Sequence, residues 1–75
     1  MNNIRRKEIN KVKEKLENLL ADLDGLKSEE EEAYDNMPES LQESDRGGEM
    51  LENIEYLDEA YNAVDEAIET LGNIY

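Results

Sequence analysis

The stretch from Met50 to Tyr75, "MLENIEYLDEAYNAVDEAIETLGNIY", decides the fold of this chain. Its large apolar residues recur at alternating steps of four and three, the heptad spacing of a helix that packs lengthwise against another helix. The pattern predicts a helix over about residues 47–73. The residues on its apolar seam are Met50, Ile54, Leu57, Tyr61, Val64, Ile68, Leu71 and Tyr75.

The first half of the chain carries a second heptad seam, and no strand-like alternation competes with it. The segment "LDGLKSEEEE" is ambiguous: Gly25, Ser28 and Glu31 fit either a helix end followed by a new capping box, or one helix with a tolerated glycine. Extending the heptad places Ala33 and Met37 on the seam, so we favour one helix over about residues 3–36. The seam residues are Ile9, Val12, Leu16, Leu19, Leu23 and Leu26.

The chain reverses between these helices, over about residues 37–46. Pro38 disfavours helical geometry at the residue before it, and "ESDRGGE" offers cap residues in Ser44 and Asp45 followed by two glycines. Within the connection, "PESLQ" fits one helical turn that begins with proline. The sequence therefore predicts an all-α protein, a single domain of residues 1–75 in which two long antiparallel helices form a coiled-coil-like hairpin.

A hairpin of this size is expected to need support from a second subunit. A chain of 75 residues builds only a marginal core, and the absence of Cys and His excludes disulfides and thiolate or imidazole metal sites. The apolar stripe is also wider than a two-stranded seam, which favours a homodimer arranged as a four-helix bundle. The additional residues are Leu20, Ala21, Leu51, Tyr56, Ala60, Ala63, Ala67 and Ile74.

Composition argues against several classes of function. The missing Cys and His remove the usual nucleophile and the usual general base, so we expect no enzymatic activity, no catalytic residues and no cofactor. No apolar run has the length of a membrane span or of a signal-peptide core, and we expect a cytoplasmic protein. The net charge of −13 opposes direct contact with nucleic acids or anionic membranes and favours a partner with a basic surface.

The charge is unevenly distributed along the hairpin. Residues 1–15 hold six basic and two acidic residues, a net charge of +4, and the antiparallel register sets them beside Asp65, Glu66 and Glu69. Residues 28–52 hold ten acidic residues against Arg46 alone, a net charge of −9. The hairpin is therefore expected to have a weakly charged open end and a strongly acidic closed end.

Three interpretations of the acidic end remain open. Glutamates after a Ser28 cap would suit the positive end of a helix dipole and need no partner. Carboxylates along a helix also approach the charge density of a nucleic acid and could occupy a basic protein groove. "DLDG" and "EEEEAYDN" offer oxygen ligands for calcium, although the loop pattern of a dedicated calcium site is missing, and we assign no metal ligands.

The candidate partner-binding residues follow from the second interpretation. They include one tyrosine, because an aromatic residue beside the acids suits an interface, although partial packing of Tyr34 or Tyr56 against the seam is an equal alternative. The candidates are Glu29, Glu30, Glu31, Glu32, Tyr34, Asp35, Glu39, Glu43, Asp45, Glu49 and Glu52.

The stretch "EEEEAYDNMPESLQESDRGGEMLENIEYLDEAYNAVDEAIETL", residues 29–71, resembles small acidic helical proteins of bacteriophages and prophages. The resemblance includes a basic opening, "NNIRRKEI", the block "DNMPESLQES" and the acidic close "EAIETL". It implies a viral origin and inhibition of a host enzyme or defence system, such as a CRISPR nuclease, by imitation of its DNA. The rival interpretation is a small coiled-coil scaffold whose acidity serves solubility.

Overall fold

The computed structural model describes all residues, 1–75, and contains three helices and no strand. Helix α1 spans Asn3–Asp35, the short α2 spans Glu39–Gln42, and α3 spans Asp45–Gly72. The two long helices pack side by side in antiparallel directions, so the predicted all-α hairpin is confirmed. The observed ends of the long helices differ from the predicted ones by at most two residues.

Helix α1 is continuous through Gly25, which settles the ambiguity of that segment. Its N-terminus is capped by Asn2, whose side chain accepts a hydrogen bond from the backbone N–H of Arg5 at 2.7 Å. At its other end the N–H of Asn36 donates to the Glu32 carbonyl, and Pro38 follows two residues later. Ser28 therefore lies inside a helix and starts none.

The reversal is tied together by hydrogen bonds on both sides of α2, the predicted helical turn. Pro38 occupies the N-cap position rather than the first helical position, and its carbonyl accepts from the N–H groups of Leu41 and Gln42. The Gln42 amide donates to the Tyr34 carbonyl of α1 at 2.9 Å. Ser44 caps α3 by accepting from the N–H of Gly47, as its cap pattern predicted, and donates to the Leu41 carbonyl.

Gly47 lies where the backbone of α3 passes close to the end of α2, and it is the one buried residue of the chain. A Cβ atom built at this position would collide with the Gln42 carbonyl group and lie 2.6 Å from the Leu41 carbonyl oxygen. The backbone of α3 can therefore pass beside the end of α2 only because residue 47 has no side chain. Gly48, the next residue, has open space around it.

The seam of α3 follows the heptad prediction closely. Its predicted residues from Met50 to Leu71 are all half-buried against α1. The exception is Tyr75, which lies beyond the end of α3 and is 93% exposed. The prediction that Tyr75 belongs to the seam is wrong because the helix ends at Gly72.

The seam of α1 is rotated by one position from its prediction. Half-burial confirms Ile9, Leu16 and Leu23, and also Met37, whereas Ala33 is exposed. The prediction that Val12, Leu19 and Leu26 also pack on the seam is wrong. These three residues are about half exposed, at 48%, 52% and 52%. The half-buried row in their place is Lys13, Leu20, Lys27, Glu30 and Tyr34.

Long polar side chains explain this rotation. A lysine can lay its aliphatic stem across a seam while its ammonium group reaches solvent or an acid. Lys27 does so, since its Nζ lies 2.8 Å from the Asp58 carboxylate of α3. Counting only apolar residues on α1 therefore selected Leu19 where the structure uses its neighbour Leu20.

The isolated hairpin has no fully buried apolar side chain. It measures 59 × 14 × 12 Å between Cα extremes, with a radius of gyration of 17.3 Å. A compact chain of this length has a radius of about 11 Å. Each helix therefore covers only one side of the other, and a large part of the apolar surface stays in contact with water.

We predict opposite effects for alanine at the two neighbouring glycines. Gly47→Ala should lower the free energy of unfolding by about 1–3 kcal/mol, because the new methyl group meets backbone of α2 that cannot rotate away. Gly48→Ala, the matched control, should raise it by about 0.5–1 kcal/mol, since alanine favours the helix and meets no atom.

Urea unfolding followed by circular dichroism, at one protein concentration, measures both changes. Equal midpoints for the two variants would contradict the tight contact at Gly47.

Candidate acidic binding surface

The ten acidic residues of the 28–52 segment lie at the closed end of the hairpin, and we call this set the acidic tip. Five are in the last two turns of α1, two are in or directly after α2, and three are in the first two turns of α3. All except Glu30 are exposed. The set consists of Glu29, Glu30, Glu31, Glu32, Asp35, Glu39, Glu43, Asp45, Glu49 and Glu52.

Two of the predicted partner-binding residues belong to the helix packing instead. Glu30 and Tyr34 are half-buried on the seam of α1. Tyr34 is also held by the hydrogen bond between its carbonyl and Gln42. Of the two interpretations of Tyr34, partial packing is therefore the one that the structure supports.

The direction of α1 places its glutamates at the electrostatically unfavourable end. The carbonyl groups at a helix C-terminus carry partial negative charge, so acids there are repelled and cations are preferred. The last turn of α1 contains no basic residue. The interpretation of these glutamates as an N-terminal cap is wrong, because no helix begins at Ser28.

Almost none of this charge is neutralised within the chain. Lys27 makes both ion pairs of the structure, with Glu31 at 3.6 Å and with Asp58 at 2.8 Å. The hydrogen bond to Asp58 is the main cause that raises the pKa of the Lys27 ammonium above its usual value. At the tip only Glu31 has a basic partner, and Arg46 makes no ion pair.

The predicted charge pairing at the open end is also absent. No ion pair joins the basic residues of the first fifteen positions to Asp65, Glu66 or Glu69. Lys13 is half-buried on the seam, with its Nζ 3.5 Å from the position that a Cβ on Gly72 would occupy. At the open end the register is therefore held by the seam rather than by direct charge pairs, and Lys27–Asp58 is the one ion pair that joins the two long helices.

The acidic surface continues from the tip along the outer side of α3. Acidic residues recur there every seven positions, which places them on one line about 10 Å apart, facing away from α1. Sequence reasoning missed this extension, although the seven-residue spacing is visible in the printed sequence. The line consists of Asp45, Glu52, Glu59 and Glu66.

Tyr56 is the aromatic residue exposed on this acidic surface. Its side chain is 57% exposed, and its hydroxyl donates a hydrogen bond to the Glu52 carboxylate at 3.1 Å. That bond, with the nearby charges of Glu52, Glu59 and Glu55, raises the pKa of the Tyr56 hydroxyl. Of the two tyrosines considered from the sequence, Tyr56 is the one available to a partner.

The structure brings together no group of three acidic side chains that could hold a metal ion. The "DLDG" segment lies within continuous α1, where its two carboxylates point in different directions, and not in a loop. None of the helices combines the length and the apolar character needed to cross a membrane.

We predict that Glu52→Gln lowers the pKa of Tyr56 toward the usual tyrosine value, while Glu55 and Glu59 keep it partly raised. Ionising this hydroxyl in the native protein breaks the bond to Glu52 and adds negative charge beside acids. The pKa of the Tyr56 hydroxyl is higher in the folded protein than in the unfolded chain. The hydrogen bond therefore contributes its full stabilisation at pH values below the unfolded-state pKa. The contribution is lost as pH rises through the folded-state pKa.

An NMR titration of the tyrosine ring signals measures this shift. The control is Glu66→Gln, which removes an equal charge from the same line two heptads away and should leave Tyr56 unchanged. Equal shifts in both variants would show a general effect of net charge rather than the Glu52 contact.

The comparisons with known proteins give no relative from which a role could be transferred. No protein-family model, no curated protein and no solved structure matches the chain. The resemblance to small phage proteins, with the inhibitory role it implies, therefore stays a prediction.

Proposed function

We propose that this protein is a non-enzymatic binding protein whose acidic tip occupies a basic, nucleic-acid-binding surface of another protein. The observation that supports the proposal is the group of five acids in the last two turns of α1, where neighbouring acids repel one another and the helix dipole opposes Glu32 and Asp35. A surface serving solubility alone does not need acids at this position. Local features that lower stability are expected where a protein binds.

The arrangement of the carboxylates suits a groove that normally holds a nucleic acid. Duplex DNA presents about one negative charge per 1.7 Å of its axis. Glu29, Glu31 and Glu32 are all exposed within four residues of α1, where successive residues rise by about 1.5 Å and project from different sides of the helix. The acidic tip thus offers a dense cluster of negative charge to a basic surface, and the acidic line on the outer side of α3 extends this charge along the hairpin.

A basic partner would relieve the repulsion that the isolated protein carries. Lysine and arginine side chains placed near the end of α1 interact favourably with both the carboxylates and the helix dipole. The charge also attracts the partner over distance and speeds association at low salt. Binding of this kind weakens steeply as salt rises.

Inhibition is the consequence that we propose for a bound partner. A protein whose nucleic-acid groove is filled by the acidic tip cannot hold its substrate, so no catalysis by this chain is required. The resemblance to phage and prophage proteins favours a nuclease or another defence or nucleic-acid-handling protein of a host cell as the target.

A coiled-coil scaffold is the second candidate function. One specific observation favours it: Val12, Leu19 and Leu26 form an exposed apolar row along α1. A scaffold held through this row would bind its partner by apolar contacts. Such binding would survive high salt and would not depend on the acidic tip.

We predict that reversing three charges at the tip abolishes partner binding while stabilising the hairpin. The variant is Glu29→Lys with Glu32→Lys and Asp35→Lys, which leaves the seam residue Glu30 and the Lys27 partner Glu31 in place. Glu32→Lys and Asp35→Lys, which are in the last turn of α1, should each add roughly 0.3–1 kcal/mol to the free energy of unfolding. Loss of binding therefore could not be attributed to unfolding.

The matched control reverses the same amount of charge on the same helix outside the tip, by Glu17→Lys, Asp22→Lys and Asp24→Lys. Capture of host proteins on each immobilised variant, at low and high salt and with DNA as competitor, compares the two. We expect the wild type and the control to retain a nucleic-acid-binding protein that salt and DNA release. Equal loss in both variants, or a partner that resists salt and DNA, would contradict the proposal and favour the scaffold.

A further inference from the structure

One side of the hairpin carries two neighbouring apolar rows, which we call the apolar face, and Asp22 and Glu29 lie beside Leu26 at its α1 edge. It contains the exposed row of α1 and a row of small or aliphatic residues on α3. No acidic residue belongs to either row, and within these rows only Ala67 is half-buried. The face consists of Val12, Leu19, Leu26, Ala33, Ala60, Ala67 and Ile74.

The contacts of the two lysines show that these rows lie on the same side. Lys27 pairs with Asp58, and Lys13 lies beside Gly72, so one side of the hairpin carries the lysine row. Asp58 and Gly72 each follow a seam residue of α3 by one position.

Helical geometry places the apolar rows on the opposite side. The α3 row of the apolar face precedes the seam residues Tyr61 and Ile68 by one position, which puts it on the flank away from Asp58. On α1, the Val12 row lies beyond the Ile9 and Leu16 line, away from Lys13. Both rows are therefore on the flank opposite the lysines.

We propose that a second copy of this chain covers the apolar face, with the two hairpins antiparallel in a four-helix bundle. The inference goes beyond the proposed function, because the acidic tip is mostly outside this face and does not require a dimer. It also changes the sequence-based expectation of a dimer, since it assigns the contact to Val12, Leu19 and Leu26, which were predicted to pack inside one hairpin.

The single chain exposes more surface than a globular monomer of its mass, and the excess is large enough to form a dimer interface. Its accessible surface is 5863 Å², whereas a globular monomer of this mass exposes about 4,700 Å². The excess of about 1,100 Å² exceeds the roughly 800 Å² that each partner buries in a standard stable interface. A chain with no fully buried apolar side chain thus has enough uncovered surface for one self-association interface.

Charge complementarity selects the antiparallel orientation. A parallel pair would bring together two closed ends, each with a net charge of −9 over residues 28–52. In an antiparallel pair each closed end lies beside the open end of the other copy. There, residues 1–15 carry +4 and residues 61–75 carry three acids, a net charge of +1.

A cavity of about 240 Å³ lies at the tip end of the apolar face, lined by Ala33, Met37, Leu41, Arg46 and Met50. Methionine side chains adapt readily to a neighbouring surface. In the antiparallel arrangement this cavity faces the level of Val12 and Ile74 of the second copy. Aliphatic side chains from that copy are therefore the groups that the proposal places there.

The first test measures the mass of the purified wild-type protein by sedimentation equilibrium, with the variant Leu19→Glu, Leu26→Glu beside it. We expect a wild-type dimer, and for the variant a dimer dissociation constant raised at least about 100-fold, because two charges per copy would be buried. A wild-type monomer, or a variant that dimerises as well as the wild type, would overturn the proposal. Both Leu19 and Leu26 are half exposed in the single hairpin, so their replacement leaves its seam intact.

Single cysteines test the orientation in a chain that otherwise has none. Chains carrying Val12→Cys and Ala33→Cys are treated separately and as a mixture with a short bis-maleimide, and Asp24→Cys on the opposite flank serves as control. We expect cross-linked dimers in the mixture only. Cross-linking of each chain with itself would show a parallel dimer, and equal cross-linking of the Asp24→Cys control would show that the apolar face is not the interface.

Both tests use the purified protein without a target. Their failure would remove the dimer and leave the salt-dependent capture by the acidic tip to be judged separately.

Discussion

Two helices can shield each other only along one side, and this constraint governs the rest of the structure. Every apolar seam residue of α1 and α3 is half-buried at most, because no third element lies over the seam. Lysine stems take part in the packing for the same reason: Lys13 and Lys27 can cover apolar surface and still reach solvent. The row that they displace, Val12, Leu19 and Leu26, is left exposed, and it supplies the surface on which we propose that a second copy packs.

The reversal compensates locally for what the seam lacks. Gly47 brings the backbone of α3 against the end of α2, while Gln42 ties α2 to α1 through the Tyr34 carbonyl. This network holds together the end of the molecule where like charges accumulate. Repulsion among the carboxylates at the end of α1 destabilises the hairpin at this end. The tight backbone contacts of the reversal act against that repulsion. A tip held in this way is preorganised, which would lower the entropy lost in the binding that we propose.

The sequence predicted the fold where spacing alone was sufficient and failed where contacts were needed. The α3 seam has large residues at nearly every heptad position and only one consistent register, so its half-buried side was predicted correctly up to Leu71. On α1 the neighbours Leu19 and Leu20 both fit a seam, and the choice depends on Lys27 meeting Asp58 across the hairpin. Similarly, Gly47 was noted only as one of two glycines after the cap residues, because its close contact with the backbone of α2 arises only after the chain has folded back. The composition of the acidic tip was predictable from the sequence. Whether its glutamates lie at the favourable or the unfavourable end of a helix dipole depended on α1 continuing through Ser28.

The two proposals constrain each other through geometry. An antiparallel dimer through the apolar face leaves the outer acidic line of α3 uncovered and puts the two acidic tips at opposite ends of a bundle about as long as one hairpin, 59 Å. One dimer would then present two separate acidic ends, each able to enter a basic groove. Targets that are themselves dimeric or arrayed would be held at two points, and binding at both would be tighter than at one if the spacing of the grooves matches. The open ends, with their weak net charge, would lie beside the tips and reduce the repulsion that each tip experiences, so self-association would stabilise the surface that we propose for partner binding.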